Sequence, residues 1–307
     1  EDLTQDRTIT LAPSTISKVW ILENATTGGY KTVISQGSGA NVTIPNGTIK
    51  VVYTDGAGSG AVVTDALDLT TGTGNIGLGS GSLGTGLTTG TDNVAIGENA
   101  MDAVTTGTDN TGIGDNAAGA LTTGTDNTAV GSGALLLEDT GTFNTAVGSS
   151  ALGTLNYAGA GYNTAVGYNA GTGITTGLEN TAVGGLALDA STIGRYNTAL
   201  GYQSLSTDID GDYSTAIGYQ ALTTQESDGA NQAVYNTAVG ASAGSGLTTG
   251  IGNTIVGALA LDATVTGDNN TALGYRSLTT NTSGYNNTGV GKDALYSNTS
   301  GTYNTAV

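Results

Sequence analysis

The sequence lacks the side chains on which most catalytic sites depend. Its 307 residues include no Cys and no His, which excludes disulfides, thiol nucleophiles and imidazole acid–base chemistry. Only seven residues are basic against 25 acidic ones, for a net charge of −18, so nucleic-acid binding is disfavoured because phosphates need Lys and Arg. No apolar run approaches the roughly 20 residues of a membrane span. We therefore expect no enzyme activity, no cofactor, no nucleic-acid partner and no membrane insertion.

The chain is also poor in the residues of an ordinary globular core. It has one Trp, one Phe, one Met and two prolines, whereas glycine reaches 52 residues. Charged residues make up only 10% of the chain, which is not typical of a disordered protein, because disordered chains are usually highly charged. The composition instead favours a repetitive fold.

A short motif recurs from residue 75 to the end of the chain. Close variants of it make fourteen repeat starts, and ten of the thirteen intervals between them are 17 residues long. Two return segments, Gly153–Tyr162 and Thr223–Tyr235, are longer and should bulge outwards. A period this regular predicts the stacked coils of a parallel β-solenoid. The motif Asn-Thr-Ala-Val-Gly is intact at Asn127–Gly131, Asn144–Gly148, Asn163–Gly167, Asn180–Gly184 and Asn236–Gly240.

Each coil is numbered here from this Asn, which is position 0. Position 4 is Gly, position 7 is Ala or Ser, and position 8 is usually Leu. A return segment follows, often Thr-Thr-Gly, and its Gly falls three residues before the next Asn, where a turn would need it. The pattern predicts a coil made of a strand, a turn, a short strand and a second turn.

Residues 1–70 differ from the repeats and contain the only Trp, both prolines and four of the seven basic residues. Short β-rich runs alternate with turn residues, and Pro45-Asn46-Gly47 is a hairpin signal. We predict a small antiparallel β domain at 1–70, as a cap or an attachment module, and a solenoid shaft at 71–307.

The distribution of charge predicts an oligomer. Positions 0 to 4, 7 and 8 carry no charged residue in any copy, as expected when both faces of a strand are buried. One coil offers only about one Val, one Leu and two Ala to bury, too little for the core of a single chain. We therefore expect a homotrimer whose small position 2 residues pack near a shared axis. Examples are Ala95, Gly112, Ala129 and Ala146.

The same columns predict a structural core ladder. Stacked Asn amides can hydrogen-bond from coil to coil and so fix the register of the coils. The ladder comprises Asn93, Asn110, Asn127, Asn144, Asn163 and Asn180, together with Ile96, Ile113, Val130, Val147, Val166 and Val183.

These repeats resemble those of known families. Asn93-Val-Ala-Ile-Gly97 with Ala100 is similar to the repeat of trimeric autotransporter adhesin heads, which are left-handed parallel β-rolls. Asn163–Ala170 is more similar to repeats in bacteriophage tail fibres, especially those of marine phages and cyanophages. The region around Trp20–Asn24 and Val42–Asp55 also resembles the segment that precedes such repeats. The resemblance implies a trimeric fibre in which the N-terminal domain contacts other virion tail proteins.

Two sets of surface residues are candidates for binding. Asp92, Asp109 and Asp126 precede the Asn in three successive coils and are weak Ca²⁺ candidates, a solvated acidic stripe being favoured. Tyr168, Tyr202 and Tyr219 at position 5 are candidates for surface recognition of a host glycan, although packing of the turns is favoured. No metal ligand set and no catalytic residue stands out.

The sequence favours a structural function. The leading hypothesis is the rigid shaft of a trimeric phage tail fibre, located in the virion, that holds a surface towards a host receptor or glycan. The alternatives are a bacterial trimeric adhesin at the cell surface and, with lower weight, an ice-binding solenoid built on Thr-Thr-Gly returns. A depolymerase is least favoured, because the acidic residues are scattered over turns.

Overall fold

The computed structural model is all-β and describes residues 5–25, 30–44, 49–67, 74–227, 232–263 and 265–307. The N-terminal strands are β1 (Arg7–Thr10), β2 (Ser17–Glu23), β3 (Thr32–Ser35), β4 (Val42–Ile44), β5 (Ile49–Asp55) and β6 (Val63–Leu67), with a 3-10 turn at Gly58–Gly60. They form two three-stranded sheets, in the orders β1-β3-β4 and β2-β5-β6. All pairs are antiparallel except β1 with β3, which is parallel.

The two N-terminal sheets bury a small apolar cluster. Ile34 and Ile44 from one sheet pack with Val52 and Val63 from the other, and Trp20 packs at its margin. The predicted hairpin at 45–47 lies outside the described residues. The described strands on either side of it, β4 and β5, belong to different sheets.

The repeats form one 14-stranded parallel sheet in sequence order. Equivalent positions pair from coil to coil, as in Ala129 opposite Ala146 and Val130 opposite Val147. The predicted fold class, antiparallel sheets followed by a parallel β-solenoid of 17-residue spacing, is confirmed. The strands are β7 (Ile76–Leu78), β8 (Val94–Ile96), β9 (Thr111–Ile113), β10 (Thr128–Val130), β11 (Thr145–Val147), β12 (Thr164–Val166), β13 (Thr181–Val183), β14 (Thr198–Leu200), β15 (Thr215–Ile217), β16 (Thr237–Val239), β17 (Thr254–Val256), β18 (Thr271–Leu273), β19 (Thr288–Val290) and β20 (Thr305–Ala306).

The expectation of a second strand in each coil is wrong. Each coil contributes one strand, of three residues in β7–β19 and of two in β20, and the described remainder of the coil runs through successive turns and bends. Among the described return segments only isolated bridges occur, such as Thr142 with Ala160 and Leu247 with Val265. Left-handed backbone at non-glycine residues, for example Leu135 with φ 52° and Phe143 with φ 61°, lets the chain turn repeatedly within so few residues.

Glycine at position 4 is required by both conformation and space. Gly131 has φ +134°, a region that side-chain-bearing residues rarely adopt. A Cβ at this residue would lie 2.5 Å from the carbonyl carbon and oxygen of Gly148 in the next coil. The position 4 glycines from Gly79 to Gly274 repeat this close approach, and Gly291 shares their positive φ, so the column holds glycine throughout.

A single chain closes its own solenoid core. Position 2 faces the interior, where residues such as Ala129 are fully buried together with Ala134 at position 7 and Leu135 at position 8. A further column at position 11, which includes Val104 and Leu121, is also fully buried. One coil therefore buries a different set of side chains from the predicted one Val, one Leu and two Ala, because that count leaves out position 11. The signal was present as the aliphatic residue that precedes Thr-Thr-Gly.

The asparagine column lies inside this core and hydrogen-bonds along the solenoid axis. Asn127 Nδ2 donates to Asn110 Oδ1 at 3.2 Å and to the Gly141 carbonyl oxygen at 2.8 Å. Its Oδ1 accepts the backbone N–H of Asn144 at 3.0 Å. Buried amides are stable in an apolar core only when they are paired in this way, so the column holds the register of adjacent coils.

One rung of the column is replaced by a different set of side chains. Ser214 stands where the other coils have Asn, and its hydroxyl accepts a hydrogen bond from Gln225 Nε2 at 2.9 Å. Gln225 Oε1 accepts the amide of Asn236 at 2.9 Å, and Gln225 Nε2 also donates to Asp208 Oδ2 at 2.6 Å. Gln225 lies at position 11, which is aliphatic in some coils and polar in others, and it takes over the missing amide.

Candidate functional site: the outer face of the solenoid sheet

The side chains at positions 1 and 3 form the outer face of the 14-stranded sheet. Strand alternation places position 2 inside and these two positions outside. Thr128 and Val130 are half-buried, whereas Ala129 between them is fully buried. The outer face therefore has no cover within a single chain, although it carries no charged side chain.

This geometry corrects two sequence-based expectations. The position 2 residues Ala95, Gly112, Ala129 and Ala146 face the interior of their own chain and not a shared axis between chains. The aliphatic members of the predicted core ladder lie instead on the outer face, half-buried or, for Val166, 36% exposed. These outward residues are Ile96, Ile113, Val130, Val147, Val166 and Val183. The six predicted asparagines are buried.

A regular threonine column runs along the outer face at position 1. It extends through consecutive strands from Thr111 in β9 to Thr305 in β20, beside the aliphatic column at position 3. The sequence pattern predicts a threonine array in the Thr-Thr-Gly returns, but these returns form bends and no strands. The sequence signal for the outward threonine column is the period-2 alternation of Thr-Ala-Val, in which Thr and Val lie on the face opposite to Ala.

The edges of the outer face lie at positions −1 and 5, and their chemistry changes along the solenoid. In the early coils position −1 holds Asp92, Asp109 and Asp126, all exposed. No group of three or more acidic residues that could hold a metal ion occurs in the described part of the chain. The three aspartates therefore form an acidic edge of the outer face.

In later coils the same edge is aromatic, and its rings stack. Tyr196 and Tyr213 lie with ring centroids 4.8 Å apart and planes 7° from parallel, and Tyr213 and Tyr235 are 5.2 Å apart. Phe143 and Tyr162 make a similar pair at 5.1 Å. Desolvation by these neighbours, followed by the charge of Tyr196, raises the pKa of Tyr213. Each ring inside such a stack has its faces covered, so it offers solvent mainly its edge and hydroxyl group.

The three tyrosines singled out at position 5 are all exposed, but they are not equivalent. Tyr202 and Tyr219 stack at 5.9 Å with planes 12° from parallel. Tyr168 is 62% exposed and makes no ring pair with another described aromatic residue. Between Tyr168 and Tyr202 the column has Gly185, so one ring is missing from the series.

Of the three carboxylic acids buried in the described part of the solenoid, Glu138 and Asp208 are almost fully enclosed, and Asp212 is slightly more exposed. Burial raises the pKa of Glu138, although its carboxylate accepts the backbone N–H of Gly141 at 2.6 Å and of Tyr157 at 3.3 Å. Burial likewise raises the pKa of Asp208, whose Oδ1 accepts the Gly211 N–H at 3.1 Å. Both acids are enclosed by the core, and each lies in the coil that precedes a longer return segment. Each accepts the N–H of the glycine three residues later, the same position with which Asn281 and Asn298 hydrogen-bond in coils of ordinary length.

Comparison of the chain with family models, with curated proteins and with solved structures finds no match. Within the described residues, no helix is both long enough and apolar enough to cross a membrane. The proposed function therefore rests on the outer face and its edges.

Proposed function

We propose that the chain forms the shaft of a homotrimeric fibre, as a rigid spacer in a phage tail fibre used for host attachment. The observation that carries this proposal is the uncovered, charge-free outer face. The threonine column runs from β9 to β20 beside an aliphatic column, most of these side chains being half-buried, whereas a face meant for water normally includes Lys or Glu. A second and third copy of the chain are the natural cover, since each presents the same face.

The length of the face supports this assignment. Thirteen intervals between the fourteen strands, at about 4.8 Å each, give a length of roughly 62 Å. The three residues of each strand span about 10 Å at about 3.3 Å per residue, so the charge-free face covers roughly 600 Å² in each chain. An interface of the approximately 800 Å² that one partner buries in a stable complex would therefore also include residues at the two edges, positions −1 and 5.

The mechanism proposed for the shaft is mechanical. Backbone hydrogen bonds in the parallel sheet and the Asn column both connect each coil to the next, so bending requires many bonds to break together. The N-terminal sheets would contact other tail proteins, and the shaft would hold a receptor-binding surface away from the virion.

The oligomeric state tests the proposal. Light scattering on the purified chain should give three times the chain mass of 30.0 kDa. The double variant Val183→Glu with Leu200→Glu puts charges on the outer face and should yield monomers with unchanged circular dichroism. Thr106→Glu, on an exposed return, is the matched control and should remain trimeric. A monomeric native protein would overturn the proposal.

A bacterial trimeric adhesin would use the same face and differ in where the fibre is anchored. Antibodies raised against residues 74–227 distinguish the two settings. Labelling of purified phage particles supports the tail fibre, and labelling of the bacterial surface without phage supports the adhesin.

Ice binding is a second candidate function, favoured by the outward threonine column. Threonines from Thr111 to Thr305 repeat at about 4.8 Å on a regular sheet face. This function needs the face to be open to water, so it predicts a monomer that lowers the freezing point of water without lowering its melting point. A trimer without this thermal hysteresis would exclude it.

A further inference from the structure

The edge of the outer face contains an aromatic gap at position 5. In successive coils this position holds Ser149, Tyr168, Gly185, Tyr202 and Tyr219. The column therefore has a ring on each side of a residue that has no side chain. A glycine here is not imposed by the backbone, since Gly185, unlike Gly184 with φ +133°, does not have left-handed φ.

The geometry keeps this gap open. Tyr202 is held from one side by its stack with Tyr219 at 5.9 Å. A Cβ built on Gly185 would lie 3.5 Å from Cδ2 of Tyr202, so the ring of Tyr202 begins directly beside the glycine. Tyr168 lies one coil before Gly185 and does not pair with Tyr202.

The gap has the dimensions of one inserted ring. Two coil rises of about 4.8 Å separate Tyr168 from Tyr202 by roughly 9.6 Å. A six-membered ring halfway between them would lie about 4.8 Å from each aromatic ring, within the range of about 4.5–7 Å at which rings stack. The exposed fraction of 62% for Tyr168 and 47% for Tyr202 means that such a ring can enter from solvent.

The surroundings favour a neutral, hydroxyl-bearing ligand. Positions 0 to 8 of the three coils that form the gap carry no charged residue, and the net charge of −18 repels anions. Asn169 and Gln203 directly follow the two tyrosines in the chain and are half-buried. Gln203 Oε1 accepts a hydrogen bond from Gln220 Nε2 at 2.9 Å, so its NH2 group is the part of the amide left to donate to a ligand. Amides hydrogen-bond to hydroxyl groups, and aromatic faces pack on C–H faces.

We propose that Tyr168, Gly185 and Tyr202 form a carbohydrate-binding site that takes one neutral hexopyranose ring between the two tyrosines. A β-glucopyranose ring fits best, because its substituents are all equatorial and both of its faces are therefore covered by axial C–H bonds. The site gives the shaft a binding function of its own, in addition to its proposed function as a spacer.

Saturation-transfer NMR with methyl β-D-glucopyranoside tests the site on the intact chain. The native protein should transfer saturation to the axial ring protons of both faces in a saturable way. Methyl β-D-galactopyranoside, whose axial 4-hydroxyl interrupts one face, should bind at least threefold more weakly. Equal binding of the two sugars, or no saturable transfer, would overturn the proposal.

Gly185→Tyr is the decisive variant, because it fills the gap while leaving both tyrosines in place. Its Cβ meets only ordinary contacts, so the fold should be kept. We expect at least a tenfold loss of glucoside binding with an unchanged melting temperature. Gly185→Ser, a smaller change, should give an intermediate loss. Tyr275→Ser removes a position 5 tyrosine distant from the gap and should bind as the native protein does.

The test of the carbohydrate site can be separated from the test of the trimer. Light scattering on the same samples reports the assembly, and the NMR signal reports the site. A trimer with equal sugar binding in the native protein and Gly185→Tyr refutes only the carbohydrate site. A monomer in which Gly185→Tyr abolishes binding refutes only the fibre.

Discussion

The inner and outer faces of the solenoid sheet come from the same three-residue strands but have different partners. The inner face, at position 2, is closed by the return segment of its own chain, which brings position 7, 8 and 11 side chains against it. The outer face, at positions 1 and 3, is as free of charge as the inner one but remains half-exposed. The comparison teaches that the absence of charge does not by itself tell which face of a strand the core of the same chain covers.

Substituting Glu for either of two adjacent residues in one strand should give the largest difference in stability between the inner and the outer face. Ala165→Glu buries an unpaired carboxylate in the core and should destabilise the fold by about 3–5 kcal/mol. Val166→Glu points outwards and should leave the circular dichroism of the single chain unchanged while weakening assembly. Thermal melts and light scattering on both variants check this. If the two variants melt at similar temperatures, the inner and outer faces tolerate a charge equally well.

Removal of one amide from the inner column should have the next largest effect. Asn127→Ala leaves the Gly141 carbonyl and the Asn144 N–H without their side-chain partner inside the core. We expect a loss of about 2–4 kcal/mol in the free energy of unfolding, measured by denaturant titration. Thr106→Ala on an exposed return should change it by less than about 0.5 kcal/mol. An equal, small effect in both would refute the structural importance of the column.

The buried acid Glu138 should make stability depend on pH. Burial raises its pKa above the ordinary value of 4.5, so its contribution is fully favourable below that value and is lost as pH rises through the folded-state pKa. Glu138→Gln keeps an oxygen acceptor for Gly141 and cannot ionise. We expect the variant to be more stable than the native protein at pH 7.

The comparison of these two proteins across pH is the measurement. Their melting temperatures should converge when the pH falls below the ordinary pKa of the glutamate, because both side chains are then neutral. A constant difference at every pH would show that Glu138 is not responsible for the dependence.

Stacking at the edge of the outer face should have the smallest effect. Tyr213→Ser removes two ring contacts, with Tyr196 and Tyr235, and should cost about 1 kcal/mol because the rings are exposed. Tyr162→Ser removes only the contact with Phe143 and should cost about half as much. Equilibrium unfolding of both variants measures the difference, and an equal cost would argue against stacking as its source.

Much of the architecture is predictable from residues that recur. The interval between the Asn residues predicts the coil, and glycine at position 4 marks the close approach of Gly131 to Gly148. The buried Asn column also follows from its repetition. The orientation of the strand does not follow, because Thr-Ala-Val alternates equally well with either face inside, and the sequence reading chose the wrong one for Ala129 and Val130.

The sequence predicts the residues of the candidate sites only as sets that share a repeat position. Tyr168, Tyr202 and Tyr219 share a position, but the gap at Gly185 has meaning only when the coils are stacked. The same is true of Gln225, which is 11 residues from both Ser214 and Asn236 and joins them inside the core. Contacts between residues of different coils depend on the path of the return segments, which a list of residues does not contain.

The sequence by itself determined the period, the parallel stacking and the columns, because identical residues at fixed intervals must pair with one another in a solenoid. Only the tertiary structure decided which face of the strand is the core, since the return segment closes on one side of the strand and leaves the other open. That open side, with its threonine and aliphatic columns and its aromatic edges, is the surface on which the proposed functions depend.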